Sequence, residues 1–283
     1  MWAPILLGLS SGLCWGLSDF LGGIQSRRLT ALAVAFWAQL TGGAVLLAVA
    51  VLSGQAAAPA AVALGVLAGV FGGAGLLCFY RGLALGPMSV VAPVAACGAA
   101  VPVLVGVATG RAPGLTAFGG IGAALAGVVL VSLPGEDDEP GTTDPRAGLA
   151  AALGAALSFG LFFVFLDAGA AAGGQPLWVA TGARGGGIAT LALVSLASRR
   201  PAGWPGRRIG ALAVVGVGDT TANVLFTYAA AAGGNLPVVS VLGSLYPVAT
   251  VLLARLFLAE RLARPQTAGV ALALAGVALM AAG

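Results

Sequence analysis

The chain has 283 residues, 59% apolar and 8% charged, with 46 Gly and a mean hydropathy of +1.04. That excludes an ordinary soluble domain, in which about 45–50% apolar and about 25% charged residues are usual. The net charge of +4 is carried by Arg alone, standing singly or in pairs at the ends of apolar runs, which is the pattern of membrane-orientation signals and excludes a nucleic-acid-binding patch.

A bilayer core takes about 20 mostly apolar residues per helix. Cutting the apolar runs at Gly, Pro and Arg clusters leaves ten segments: 3–24, 30–52, 60–84, 88–108, 114–133, 147–171, 176–197, 207–231, 236–257 and 264–282. The first has no basic start and is too long for a cleaved leader, so it reads as a retained helix. On it Trp15, Ser18 and Asp19 share a face through i+3 and i+4 spacing. Trp15 lies deeper than the interfacial belt where membrane Trp usually sits and is expected to line a cavity. Asp19, nearer the helix end, is expected to pair with Arg27 or cap against the interface. Tyr80 lies in the last part of the third segment. The stretch 134–146 (PGEDDEPGTTDPR) holds five of the nine acidic residues and reads as a linker outside the membrane.

The sixth segment carries Ser158, Phe159, Phe162, Phe163 and Phe165; at least half of these side chains are expected to face lipid, and Ser158 and Phe162, spaced i, i+4, to face inward. Arg184 falls near the middle of the seventh segment and Asp219 near the middle of the eighth. Each ionised group inside a span costs about 2.5–3.5 kcal/mol on insertion scales, so each needs a reason. Helical spacing groups Asp219 with Thr220, Asn223 and Thr227 into a polar stripe, with Tyr228 beside it. Two readings stand open: Arg184 and Asp219 pair across neighbouring helices, or they meet a zwitterion, the guanidinium taking its carboxylate and Asp219 its ammonium or a proton. Ser240, Gly243, Ser244 and Pro247 form a small-residue face on the ninth segment. Tyr246 precedes Pro247, whose missing N–H breaks a helical hydrogen bond and exposes backbone to the cavity. Gly120 and Gly127 on the fifth segment, and Gly269 and Gly276 on the tenth, read as packing glycines, for each other or for a second copy. Trp2 and Trp204 read as interfacial anchors, and Arg81 and Arg255 as headgroup contacts.

The linker divides the chain into 1–133 and 147–283, five segments each. Gly120 to Leu130 matches Gly269 to Leu279 at an offset of 149; Tyr80, Gly86, Val90 and Val91 match Tyr228, Gly234, Val238 and Val239 at 148; Trp15-Gly16 faces Phe159-Gly160 at 144. Ordered, drifting offsets fit a duplication. Because five is odd, the second repeat enters the membrane from the opposite side, and inverted repeats around a midplane site are a recurring plan of secondary transporters. By the same repeat, Tyr80 and Tyr228 are expected to face one another. The expected fold is therefore all-α and polytopic: ten transmembrane helices as two inverted five-helix repeats around a central cavity.

Nine Arg lie in loops after odd-numbered helices against one, Arg111, after even-numbered ones, which by the positive-inside rule puts both termini outside. With no His, the commonest general base is missing. Cys14, Cys78 and Cys97 show no metal or disulfide spacing, and no GxxxxGK[ST] phosphate loop is present. The chain reads as a non-enzyme without a cofactor, driven by a substrate or proton gradient. The competing readings are a membrane-embedded enzyme on lipid-linked substrates and a structural membrane protein.

Trp15-Gly16-Leu17-Ser18, Gly243-Ser244-Leu245-Tyr246-Pro247-Val248, Leu258-Ala259-Glu260-Arg261-Leu262 and the Gln266…Gly269…Gly276 pattern together resemble the EamA-type proteins of the drug/metabolite transporter superfamily. The resemblance covers essentially the whole chain. It departs at Gly110-Arg111-Ala112, where the first-half counterpart of Glu260-Arg261 lacks an acidic partner. It implies export of small metabolites: amino acids, as in aromatic amino-acid exporters of the YddG type, or drugs, nucleosides or sugar phosphates. It also implies a monomer or homodimer in the plasma membrane, the bacterial inner membrane, and cytoplasmic termini in many members, against the Arg count; the side stays open. The expected substrate-binding residues are Trp15, Ser18, Tyr80, Ser158, Phe162, Arg184, Asp219, Asn223, Tyr228, Ser244 and Tyr246.

Overall fold

A computed structural model describes residues 2–26, 28–85, 94–131, 133, 145–173, 175–199, 201–258 and 263–282. The acidic linker, apart from its last residues, lies outside them, as do Arg27, Glu260, Arg261 and the side chains of Tyr80 and Arg255.

The described residues form helices and connecting turns, with no strand among them. They are α1 (Trp2–Ser26), α2 (Ala31–Leu52), α3 (Pro59–Leu85), α4 (Val94–Ala108, with a 3-10 turn at Cys97–Ala99), α5 (Leu115–Val131), α6 (Pro145–Ala171), α7 (Pro176–Ala197), α8 (Ile209–Ala231), α9 (Leu236–Gly243), α10 (Tyr246–Leu258) and α11 (Arg264–Ala282). Each expected segment falls on a helix, but the ninth is broken in two. Six helices, α1, α2, α3, α6, α7 and α8, carry stretches long and apolar enough to cross a bilayer; α4, α5 and the ninth segment are shorter.

Local chemistry sets the ends. Thr30 Oγ1 accepts from the Ala33 N–H at 3.2 Å and caps α2. Gly110 (φ 76°) and Gly233 (φ 80°) follow α4 and α8 in the left-handed region that a helix C-terminus favours and a side chain resists. At Ser244-Leu245 the backbone tightens, with Leu245 N–H donating to Leu242 O and Val248 N–H to Leu245 O, and Pro247 has no N–H to continue the ladder.

In an apolar solvent the hydrophobic effect cannot drive helices together, so close packing must. Glycine supplies it. A Cβ built on Gly69 would lie 1.9 Å from the Ala183 carbonyl oxygen, and one on Gly186 2.1 Å from that of Val66, so α3 and α7 touch backbone to backbone. The glycine rows of α5 and α11 meet in the same way: Gly120 against the Gly276 carbonyl, Gly127 against that of Gly269. They pack against each other rather than waiting for a second copy.

The two halves interlock. α3 packs on α6 and α7, and α8 packs on α1 and α2. Gly16 of α1 abuts the Tyr246 carbonyl, and Gly160 of α6 abuts the Gly98 carbonyl and Val101. α6 also runs opposite to α1. One end of the bundle, the terminal end, gathers Pro4 with Gly234, Gly106 with Pro237, and Trp178 with the Gln55 carbonyl. The other, the arginine end, gathers Arg208 with Gln25, Trp37 with Gly203 and Trp204, and Gln266 with the Leu133 carbonyl.

Candidate functional site

The deepest charges converge. α2 carries Gly42-Gly43 where α7 and α8 approach it: a Cβ on Gly42 would lie 2.2 Å from the Gly216 carbonyl oxygen and 2.4 Å from Thr220 Oγ1, and one on Gly43 3.4 Å from Arg184 Cβ. These missing side chains let Arg184 of α7 reach Asp219 of α8, and an Arg184 Nη1–H donates to Asp219 Oδ2 in an ion pair. Arg184 is 3% exposed, whereas the Asp219 side chain is 32% exposed. The pairing reading of these residues is therefore what the structure shows.

The pair leaves capacity over. Arg184 Nε and Nη2 have no hydrogen-bond partner, and Ser18 Oγ on α1 and Thr220 Oγ1 and Asn223 Oδ1 on α8 are buried and likewise unpaired. Ser240 Oγ on α9 is a further unpaired buried group. Buried polar atoms are ordinarily satisfied, and each exception calls for an explanation. A string of them beside a buried guanidinium, in a helical bundle with no headgroups at hand, is a surface built to receive polar groups.

Other side chains of the expected set are committed to packing. Trp15 is buried in an aromatic cluster, edge-on to Phe163 (5.6 Å) and Phe162 (6.1 Å) and 6.2 Å from Phe226, while Phe163 and Phe226 stack at 5.0 Å. Trp15 also lies over Gly243, the last residue before the helix break. The α6 rings do not serve as lipid-facing bulk: Phe159 and Phe162 seat on Gly75 and Gly72 of α3, and Phe165 stacks on Phe71 at 5.4 Å. Phe163, which was not among the two side chains expected to face inward, is the most buried of them. Ser158 is half-buried one turn before Phe162. Ser244 Oγ–H donates to the Val241 carbonyl at 3.0 Å, and the half-buried Tyr246 opens α10 with its own carbonyl accepting from Thr250 Oγ1.

Tyr228 departs from expectation. It is 37% exposed on the outer face of α8, with Val214, Val217 and Thr221, and does not face the interior. Thr227 takes the inward position, donating to the Asn223 carbonyl at 2.7 Å, and one residue further round turns the ring some 100° away.

Sequence reasoning missed a second ion pair. Asp167, 3% exposed on the last turns of α6, accepts from Arg111 Nη1–H at 2.7 Å, and the Arg111 carbonyl accepts from Asn235 Nδ2 at 2.9 Å. The loop after α4 is thereby tied across the terminal end to α6 and to the start of α9. Arg111, which lacks an acidic neighbour in sequence, has one in space.

The arrangement is that of a polytopic helical membrane protein with a polar seam at mid-depth and an ion-pair tie across one end. A family model, the EamA-like transporter family, matches residues 2–133 and again residues 146–282. The chain belongs to the EamA-like transporter family and is a multi-pass membrane transporter of small molecules. A solved structure described only as the crystal structure of a protein is 22% identical, with a TM-score of 0.77 over 99% of this chain and 96% of that one, and shares the fold. No curated protein matches the sequence.

Proposed function

We propose that this protein is a secondary transporter exporting small metabolites that carry an ammonium group, amino acids foremost, by alternating access to the seam between α1, α7 and α8. The observation that supports this is the Arg184–Asp219 pair with two guanidinium donors unpaired. Arg is a planar fork that can hold two carboxylates at once; Asp219 takes one edge and a substrate carboxylate fits the other. Asp219, the more accessible partner, is placed to share its second oxygen with an ammonium. Ser18, Thr220 and Asn223 supply neutral donors and acceptors around them, and the Trp15 cluster walls the seam on one side.

In this reading the Arg111–Asp167 tie closes the terminal end, and the break between α9 and α10 is where the helix bends during exchange. The chain works in the bacterial inner membrane as a monomer or homodimer, driven by the substrate gradient or by protons. The test is efflux from proteoliposomes loaded with radiolabelled amino acids, nucleosides and sugars, with and without a pH gradient. Saturable efflux of an amino acid, lost in Arg184→Gln, is expected; no saturable efflux of any compound would remove the reading.

A further inference from the structure

Asp19 stands where a packed residue should be. At 100° per residue it lies at the centre of the α1 face that also carries Gly8, Gly12, Trp15 and Gly16. Those residues are packed inward, Gly12 against the Leu242 carbonyl, Trp15 against Gly243, and Gly16 against Tyr246 and Ala249. The lipid side of the helix is marked instead by exposed Leu6, Leu13 and Leu17. Asp19 is nevertheless exposed. An exposed residue at the centre of an inward face lines an internal space, beside the place where the next residue, Phe20, meets Phe257 of α10 at 6.2 Å.

Its neighbours define that space. Ser18 Oγ sits 2.5 Å from the position a Cβ would take on Gly218, so α1 and α8 touch there, and the next residue on each helix is a carboxylate: Asp19 and Asp219. Among the described residues Asp19 joins neither ion pair, and Arg208 is held by Gln25 towards the arginine end. Among the described side chains the seam therefore holds two carboxylates and one guanidinium. Ser18 and Arg184, each more than nine-tenths buried, contribute unpaired polar atoms beside them.

We infer that the seam selects a substrate of net positive charge, an amine or basic amino acid with one more ammonium than carboxylate, and that Asp19 is the residue that sets this selectivity. The inference rests on the seam's being the substrate site. A neutral zwitterion satisfies Arg184 and Asp219 but leaves Asp19 uncompensated, and an uncompensated charge inside a helical bundle is unfavourable. A second ammonium on the substrate completes the count, whereas an anion adds to the imbalance.

The experiment compares lysine, ornithine, leucine and aspartate as substrates of the full-length protein in proteoliposomes. Lysine and ornithine are expected to be transported at least tenfold faster than leucine, with aspartate slowest. The lysine-to-leucine ratio is expected to fall at least tenfold in Asp19→Asn and to return in Asp19→Glu. A wild-type protein preferring leucine or aspartate, or an Asp19→Asn variant with an unchanged ratio, overturns the selectivity and leaves the transporter standing; no saturable transport of any of the four overturns both. Thermal stabilisation of the wild-type protein by lysine over leucine needs no variant, and its absence also overturns the inference.

Discussion

Arg184 is more than nine-tenths buried and its charge is met by one carboxylate. Removing that partner strands the guanidinium, which in buried pairs costs about 3–5 kcal/mol, whereas removing both charges together is often close to neutral. Asp219→Asn should therefore lower the detergent melting temperature and the membrane yield, at the low end of that range because Asp219 is partly open to solvent. Arg184→Gln combined with Asp219→Asn should recover most of the stability and none of the transport. A stable, fully active Asp219→Asn protein would count against any role for the pair. These two residues were legible in the sequence because a charge in the middle of an apolar run has few explanations. Asp167 was not, since its partner lies 56 positions away and no local spacing connects them. Asp19 was seen, but its nearness to the helix end suggested an interfacial role; its exposure on the inward face of α1 depends on which helices arrive as neighbours.

Among the elements, the clearest mechanical feature is the tie at the terminal end. The α4–α5 loop belongs to the first half of the chain, while α6 and the start of α9 belong to the second, and Arg111 joins all three through Asp167 and Asn235. Breaking it leaves a buried carboxylate unpaired and removes the ionic contact between the loop and α6. Arg111→Gln should thus shift the protein towards states open at that end. With Cys14, Cys78 and Cys97 replaced by Ala, a cysteine at Thr227, buried between the seam and the tie, should react with a membrane-impermeant maleimide added from the terminal side several-fold faster in Arg111→Gln than with Arg111 intact. Equal rates would show that the tie does not hold the end closed. The elements were readable to within a few residues because apolar runs, Gly and Pro punctuate the chain so plainly. The ninth segment reads in sequence as one run, 236–257; only the hydrogen bond lost at Pro247 marks the place near which it breaks. The inward-facing side of each helix was less readable: these helices are apolar all round, and the Gly contacts that orient them, such as Gly42 on Gly216, depend on which helix arrives as neighbour. That is why Phe163 was not singled out and Tyr228 was expected to face inward.

For the whole molecule the open variable is which way it sits in the membrane. Arg28, Arg199, Arg207, Arg208 and Arg264 all lie in loops or helix starts at one end of the bundle, and at the other Arg111 is bound to Asp167. Short loops rich in Arg stay on the cytoplasmic side, and acidic residues count for little in this rule, so the acids of the 134–146 linker do not weaken it. By this rule the arginine end is expected on the cytoplasmic side, both termini outside, and the Arg111–Asp167 tie at the outer end. In that orientation Asp219 and Asp19, more exposed than Arg184 and Asn223, would lie on the cytoplasmic side of the tie, where the proposed export would load its cargo. An alkaline phosphatase fused after residue 283 should be active in a bacterial host, and a green fluorescent protein fused there dark. Moving the balance by replacing Arg199, Arg207 and Arg208 with Gln should reduce the phosphatase signal. A bright fluorescent fusion on the unaltered chain would invert the molecule, make the tie the inner gate, and turn the same exposed carboxylates towards the outside, the posture of an importer.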